Sequence, residues 1–240
     1  MKIGIISDIH ANLYALKKVL FELDKSNVQK IFCLGDITTL GPYPVETIEL
    51  LMDRNITSVM GNHDEFMINP KKIKEYTSAK PIVKAVKWAR ERLSKEHLEY
   101  ISSFKTTSEI TLPTDKILLC HGSPKSHMDN IHNDTSARKI GNMLSGFKNR
   151  IILSGHTHVQ MLRQFSGRYI INPGSVGLPF KESTNNSPMV LLQAEYAILD
   201  FKDKRFDFKL CHIPLERSKL CEESEGSKNP FCKYLLEHYQ

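Results

Sequence analysis

Hydrophobic positions in this chain follow two rhythms. Short apolar runs stop abruptly at polar residues. Between them lie stretches in which apolar residues return every three or four positions. The short runs are residues 2–7 (KIGIIS), 30–35 (KIFCLG), 56–61 (ITSVMG), 116–120 (KILLC) and 150–155 (RIILSG). Runs of this length without a helical period predict buried strands. Behind the first run, Asn12 is a good helix N-cap, and Leu13, Leu16, Leu20 and Leu23 follow at helical spacing. Behind the second, a loop ends in Gly41-Pro42, Pro44 can open a helix, and Val45, Ile48 and Leu51 supply its buried face. Strand, loop and amphipathic helix in this order are βα units of a layered α/β fold.

The rhythm changes between 64 and 116. Residues 81–93 are expected as a helix, with Val83, Val86 and Ala89 near one face and the only tryptophan, Trp88, within it. Residues 94–101 are expected as a second helix capped by Ser94. This helical insert, over about 66–112, has two readings: it caps a pocket and helps select a substrate, or it packs on the sheet. Further on, residues 189–200 and 205–213 are expected as strands around a polar turn at 202–204. Phe206, Phe208 and Leu210 alternate there as a one-sided strand should. This part is expected to be an antiparallel addition rather than further βα units. Residues 222–229 are expected to be mobile and 231–239 a short helix, making a polar tail over about 218–240 on a single domain spanning 1–240.

Composition narrows the class. The chain has 240 residues, 40% apolar and 25% charged, which is globular and long enough for a substantial core. No apolar stretch reaches membrane-spanning length. The N-terminus leads through one lysine straight into a strand-like run ending at Asp8, unlike a secretory signal. A cytoplasmic location and no membrane partner are the expectations. Five cysteines without a C-x-x-C pair do not make a disulfide framework. Cys33 and Cys120 are expected as buried, inert thiols, and Cys211, Cys221 and Cys232 show no metal-ligand spacing. The net charge of +6 is spread out, with no basic arm, so nucleic acid is not the expected partner. A mild positive field still favours an anionic substrate. Homo-oligomerisation is left open.

What the apolar runs lead into carries the chemistry. They open onto Asp8 and His10, onto Asp36, onto Asn62, His63 and Asp64, onto His121, and onto His156 and His158. Strand ends on one edge of an α/β sheet converge, and ligands bind there. Residues scattered along the chain can therefore share one pocket, with enough carboxylate, imidazole and amide for two metal ions. In Asp8-x-His10 and His156-x-His158 the spacing places both side chains on one side of an extended segment. Imidazoles suit Mn, Fe, Ni and Zn, while the carboxylates and the amide oxygen of Asn62 keep the site fairly hard.

Five motifs occur in order: D-I-H (8–10), G-D (35–36), G-N-H-D (61–64), H-G (121–122) and G-H-T-H (155–158). Together with Asn12 and Asn172-Pro173-Gly174-Ser175 they resemble the calcineurin-like metallophosphoesterase superfamily over residues 1 to about 215, and within it a small bacterial and archaeal phosphodiesterase branch. The resemblance implies a four-layer α/β/β/α sandwich of two mixed β-sheets. It implies one divalent metal held by Asp8, His10, Asp36 and His158, and another by Asp36, Asn62, His121 and His156, with Asp36 as bridge. Manganese is the first expectation, with Fe, Zn, Ni or Mg as alternatives. The implied activity is hydrolysis of a phosphodiester or a nucleotide phosphoanhydride in a small-molecule substrate, by attack of a hydroxide shared between two metals about 3.5–4 Å apart. His63 is implied as the catalytic residue beside the leaving-group oxygen. Asp64 is expected to orient a ligand or cap the next segment. Gly155 and Gly174 are expected to allow tight turns, and Thr157 to be a spacer.

One segment departs from the pattern. Phosphoprotein phosphatases of the superfamily carry G-D-x-x-D-R-G, whereas Thr39 and Leu40 stand here in place of the second aspartate and the arginine. That counts against protein phosphatase activity and leaves the partner of His63 open. Gly41-Pro42 resembles a branch that includes phosphodiesterases and symmetrical diadenosine tetraphosphate hydrolases, so the latter is the specific alternative. A metallo-β-lactamase-type enzyme needs H-x-H-x-D-H, but Val159 and Gln160 follow His158. A DNA-repair nuclease of the superfamily would usually carry extra domains. The alternative from another class is a non-catalytic scaffold or assembly subunit of the same fold. Such proteins usually have eroded ligands, and this chain retains all seven together with His63.

Overall fold

A computed structural model describes residues 1–112, 115–182, 189–202 and 205–239. Ten strands among them form two five-stranded mixed sheets. The first contains β1 (Lys2–Ile6), β2 (Lys30–Cys33), β3 (Thr57–Ser58), β9 (Gln193–Lys202) and β10 (Arg205–Pro214), in the order β10-β9-β1-β2-β3. The second contains β4 (Thr107–Thr111), β5 (Lys116–Cys120), β6 (Ile151–Leu153), β7 (Met161–Phe165) and β8 (Arg168–Asn172), in the order β4-β5-β6-β8-β7. The parallel neighbours β1, β2 and β3 in one sheet and β5, β6 and β8 in the other point their C-terminal ends the same way within each sheet. The remaining strands pair antiparallel at the flanks.

Side-chain alternation sorts the apolar residues into layers. Ile3, Ile5, Phe32 and Leu34 from the first sheet meet Ile117, Leu119, Ile151, Leu153 and Ile171 from the second. The opposite face of the first sheet, through Ile6 and Cys33, packs on α1 (Leu13–Lys25), α2 (Pro44–Asp53), α3 (Asn62–Ile68), α5 (Lys80–Arg90) and α6 (Lys95–Ser102). The opposite face of the second, through Leu118, Cys120, Ile152 and Ile170, packs on Ile140 and Met143 of α7 (Ala137–Met143). The result is the expected four-layer sandwich. Asn12 caps α1 by accepting from the Ala15 amide, and Ser94 caps α6 by accepting from His97. A short α4 (Ile73–Tyr76) links α3 to α5.

Three regions differ from the sequence reading. Residues 107–111, expected within the helical insert, form β4 at the edge of the second sheet. Its sequence, TSEIT, is half-exposed and lacks the apolar run that marks a buried strand. The hairpin β7–β8 turns at Ser166 and Gly167, both with positive φ, and its outer strand β7 leaves Leu162 and Gln164 exposed. Residues 222–229, expected as a mobile tail, are held instead. The helix α8 (Arg217–Gly226) takes in the first five of them and α9 (Cys232–His238) follows. Only Leu220 and Ser224, one turn apart, are buried on α8, so its sequence looks polar throughout. Beyond it the Asn229 side chain donates to the Gly41 carbonyl at 2.7 Å, and Val190 bridges to Tyr239. The strand expected from 189 starts at Gln193, and the turn expected at 202–204 lies, past Lys202, outside the described residues. All five cysteines are free thiols, with Cys33 and Cys120 fully buried. No helix among the described residues is long and apolar enough to cross a membrane.

Candidate metal centre

The sheet ends bring the motif residues together. Asp8 follows β1, Asp36 follows β2, and Asn62 opens α3 after β3. His121 follows β5, and His156 and His158 follow β6. Backbone bonds from Asp8 to the Gly35 carbonyl and from His10 to the Asp36 carbonyl, each 3.0 Å, lock the first two loops together. Two glycines allow the loops to close in. A Cβ on Gly61 would lie 2.1 Å from Asp36 Oδ1, and one on Gly155 would lie 2.1 Å from Ser7 Oγ. Gly155 is thus required by close approach, and Gly174, at φ +79°, both makes the expected turn and would bring a Cβ to 2.0 Å from Glu195 Oε2.

Asp8, His10, Asp36, His156 and His158 all adopt left-handed backbone, with φ between 48° and 68°. Such angles are costly for most residues but several-fold enriched for Asp, Asn and His. The segments 8–10 and 156–158 are therefore not extended, contrary to the spacing argument. Their side chains assort differently as a result. Asp8, His10 and His158 form one group, and Asp36, His121 and His156 another; within each group the potential ligand atoms lie within 4.8 Å of one another. His156 and His158, adjacent in their motif, thus belong to different groups.

The carboxylates have little freedom. Asp8 Oδ2 accepts from Ser7 Oγ at 2.6 Å and from the His156 amide at 3.0 Å. Its Oδ1 has no hydrogen-bond donor, yet Nε2 of His158, His121 and His10 lie 3.2, 3.8 and 3.9 Å away. Asp36 Oδ1 accepts from the His63 amide at 2.8 Å, while Oδ2 lies 3.3 Å from His121 Nε2 and 3.9 Å from His10 Nε2. The Asn62 amide oxygen is 3.1 Å from His121 Nε2, and its nitrogen has no partner. Nδ1 of His121 donates to the Leu34 carbonyl and Nδ1 of His158 to the Leu178 carbonyl, both at 2.7 Å. A neutral imidazole that donates from Nδ1 presents its lone pair at Nε2. Buried lone pairs and carboxylate oxygens thus face one another across a few ångströms. That donor set repels itself unless positive charge lies between, and it fits divalent cations.

The titration directions express the same demand. Burial opposes ionisation of Asp8 and Asp36, yet neighbouring histidines outweigh it: His158 and His121 hold Asp8 below the usual carboxylate range, and His121 and His63 do so for Asp36. His121, despite burial, is pushed up to about 10 by the charges of Asp36 and Asp8. His156 is pushed down to about 3, by burial and then by His121. The carboxylates call for positive charge, which a proton on His121 or a cation can provide.

Around this centre stand residues that position it. Thr39 Oγ1 lies 2.8 Å from His63 Nδ1 and 3.3 Å from His10 Nδ1, so a hydroxyl stands beside His63 where the phosphatase pattern has a carboxylate. Asp64 accepts from the backbone amides of Asp36, Ile37 and Gly61 at 2.7, 2.9 and 3.0 Å, tying the β2 loop to α3. Burial and then the Asp36 charge push its carboxyl up to about 6. Asn172 donates to the Gly155 carbonyl and to Thr157 Oγ1, so Thr157 is more than a spacer. Ser175, marked in the sequence only as part of N-P-G-S, donates its hydroxyl to the Asp8 carbonyl, and Ser7 had no signal beyond standing next to the candidate ligand Asp8.

A cavity of about 640 Å³ opens over His10, Asp36, His63, His156 and His158. Tyr76 and Ile82 from the helical stretch line it, as do Phe231 and Tyr234 near the C-terminus. The helical stretch therefore both packs on the sheet and walls the cavity.

The calcineurin-like phosphoesterase superfamily domain matches residues 1–204. A metallophosphoesterase from Sphaerobacter thermophilus, known as a crystal structure, is 30% identical over 98% of each chain, with a TM-score of 0.73. The crystal structure of a hypothetical protein from Pyrococcus horikoshii shares the fold at 20% identity and a TM-score of 0.77, over 98% of this chain and 97% of that one. An uncharacterized protein of Methanocaldococcus jannaschii is 28% identical over 253 residues, covering 95% of this chain and 93% of that protein.

Proposed function

We propose, since the chain belongs to the calcineurin-like phosphoesterase superfamily, that it is a hydrolase of phosphodiester or nucleotide phosphoanhydride bonds in small molecules, working with two divalent cations. The observation that carries this reading is the ring of inward-facing lone pairs around Asp8 Oδ1 and Asp36 Oδ2. Asp8, His10, Asp36 and His158 would hold one cation; Asp36, Asn62, His121 and His156 the other. Such ions supply Lewis acidity toward a phosphoryl group and make water acidic enough to attack near neutral pH. Manganese is the first to test, with Fe, Zn, Ni and Mg also suited to the donor set.

The chain's own residues arrange the protons. With a cation on its Nε2, His10 would carry its proton on Nδ1 and donate it to Thr39 Oγ1. The Thr39 hydroxyl is then free to donate to His63 Nδ1. That fixes the His63 proton on Nε2. Burial and the nearby His158 and His121 hold His63 below its ordinary value and keep the ring neutral. A neutral imidazole with Nε2–H, on the wall of the cavity, is placed to hydrogen-bond the leaving-group oxygen and release a proton to it. Thr39→Val keeps the shape but removes the hydroxyl. We expect kcat to fall about tenfold, the loss of a modest hydrogen bond, with metal content retained. An unchanged kcat would remove Thr39 from the proton arrangement.

The test of the function is manganese-dependent hydrolysis of bis-p-nitrophenyl phosphate, with p-nitrophenyl phosphate alongside. Diester cleavage faster than monoester cleavage, abolished by chelator and restored by metal, is the expected result. Two bound cations with no cleavage of either ester, or of diadenosine tetraphosphate, would favour a scaffold.

A further inference from the structure

The cavity over the metal centre has an unusual division of charge. Its floor holds histidines and a carboxylate, but none of the described residues lining it is Lys or Arg. His132, the lining histidine away from the centre, is held below its ordinary value by burial. Lys181, directly after the lining residue Phe180, is exposed and is not among the residues lining the cavity. The walls are apolar and aromatic: Ile82 from α5, Phe180 and Val190, and Phe231, Tyr234 and Leu235 from the C-terminal helix and its start. The wall begins at the centre itself, because Phe180 stacks on His158 with ring centroids 4.4 Å apart. It continues through Phe231 and Tyr234, stacked at 4.7 Å.

This wall has a second origin in the chain. The match to the superfamily domain ends at residue 204, and α9 lies beyond it. The polar side chain of Asn229 pins the start of that segment to Gly41, and Tyr239 bridges to Val190 at its end. A segment outside the matched domain is therefore fastened across the cleft that the matched domain opens.

The geometry points to a substrate with one phosphodiester charge and a flat aromatic group, which lies on the Phe180–Phe231–Tyr234 wall; a polyphosphate chain is disfavoured. This rests on the phosphoesterase reading above. A single diester charge can sit at the metal centre. Each further phosphate would place a charge against an apolar wall without a cation to pair it, which is costly. A flat ring gains contact on the same wall.

The experiment uses the manganese-loaded full chain and two diesters with the same leaving group, p-nitrophenyl phenyl phosphate and methyl p-nitrophenyl phosphate. Each kcat/KM is normalised to the uncatalysed hydroxide rate. The phenyl ester is expected to be favoured at least about tenfold, the scale at which an apolar pocket discriminates. Diadenosine tetraphosphate is expected to be slower than the phenyl ester. Tyr234→Ala, at a half-buried position, is expected to lower the phenyl-to-methyl ratio several-fold. Calorimetry reads the same wall without turnover, with diphenyl phosphate binding at least about tenfold tighter than dimethyl phosphate. A ratio near one that Tyr234→Ala does not move, or diadenosine tetraphosphate as the best substrate, overturns the inference and leaves the phosphoesterase reading standing. No metal-dependent cleavage of any of the three overturns the reading beneath it.

Discussion

Asp36→Asn is expected to lose both cations together and to lower kcat/KM by at least about a thousandfold. The substitution keeps shape. An asparagine oxygen can still accept from the His63 amide, as Asp36 Oδ1 does at 2.8 Å, so the fold is expected to survive. What disappears is a buried negative charge between His121 and His10, one from each ligand group. Two cations close together repel strongly, and a shared carboxylate offsets part of that repulsion. Removing one partner from a buried set of charges costs about 3–5 kcal/mol, or roughly a hundred- to several-thousandfold in affinity. Metal analysis after gel filtration reads the outcome. Geometry alone leaves Asp8 as a rival bridge, because its Oδ1 also faces His158, His10 and His121. The matched Asp8→Asn variant therefore decides the assignment. Loss of one cation in Asp8→Asn and both in Asp36→Asn supports Asp36 as bridge; the reverse pattern transfers that role to Asp8.

His63→Ala is expected to do the opposite: retain both cations and lower kcat by about a hundred- to ten-thousandfold, the range for a proton-transfer residue. The only bond His63 gives to a proposed ligand, its amide to Asp36 Oδ1, comes from the backbone and survives the change. The position lies in the first turn of α3, where alanine is favourable. Metal content and stopped-assay turnover of the same preparation separate the two roles. Loss of metal would make His63 a structural residue of the centre, and unchanged turnover would make it a bystander.

The sequence showed the candidate ligands because each apolar run stops at one. Asp8, Asp36 and His121 directly follow, or nearly follow, a strand end. Spacing alone did not show how they divide; only the family resemblance put His156 and His158 with different metals. The i, i+2 spacing suggests that His156 and His158 act together, but a φ of 68° at one and 58° at the other sends them to different groups. No spacing rule encodes that turn. Edge strands β4 and β7 were hidden for another reason: β4 has a single apolar residue, Ile110, and β7 interrupts its apolar residues with Arg163 and Gln164. On α8 a single turn of contact through Leu220 and Ser224 suffices, because α9 and Asn229 complete the anchoring. Thr39 was visible only as a departure from a pattern. Its contact with two imidazoles needed coordinates.

The left-handed backbone at five of the seven proposed ligands also bears on how such a centre can drift. Most replacements there add backbone strain to the loss of the side chain, and so are doubly penalised. Asp, Asn and His tolerate that conformation best. Exchanges within this trio leave the loops in place, and those that gain or lose Asp step the charge of the centre by one unit. The backbone thereby confines single-step variation to residues that keep the loops, so that its cost falls on the metals and not on the fold.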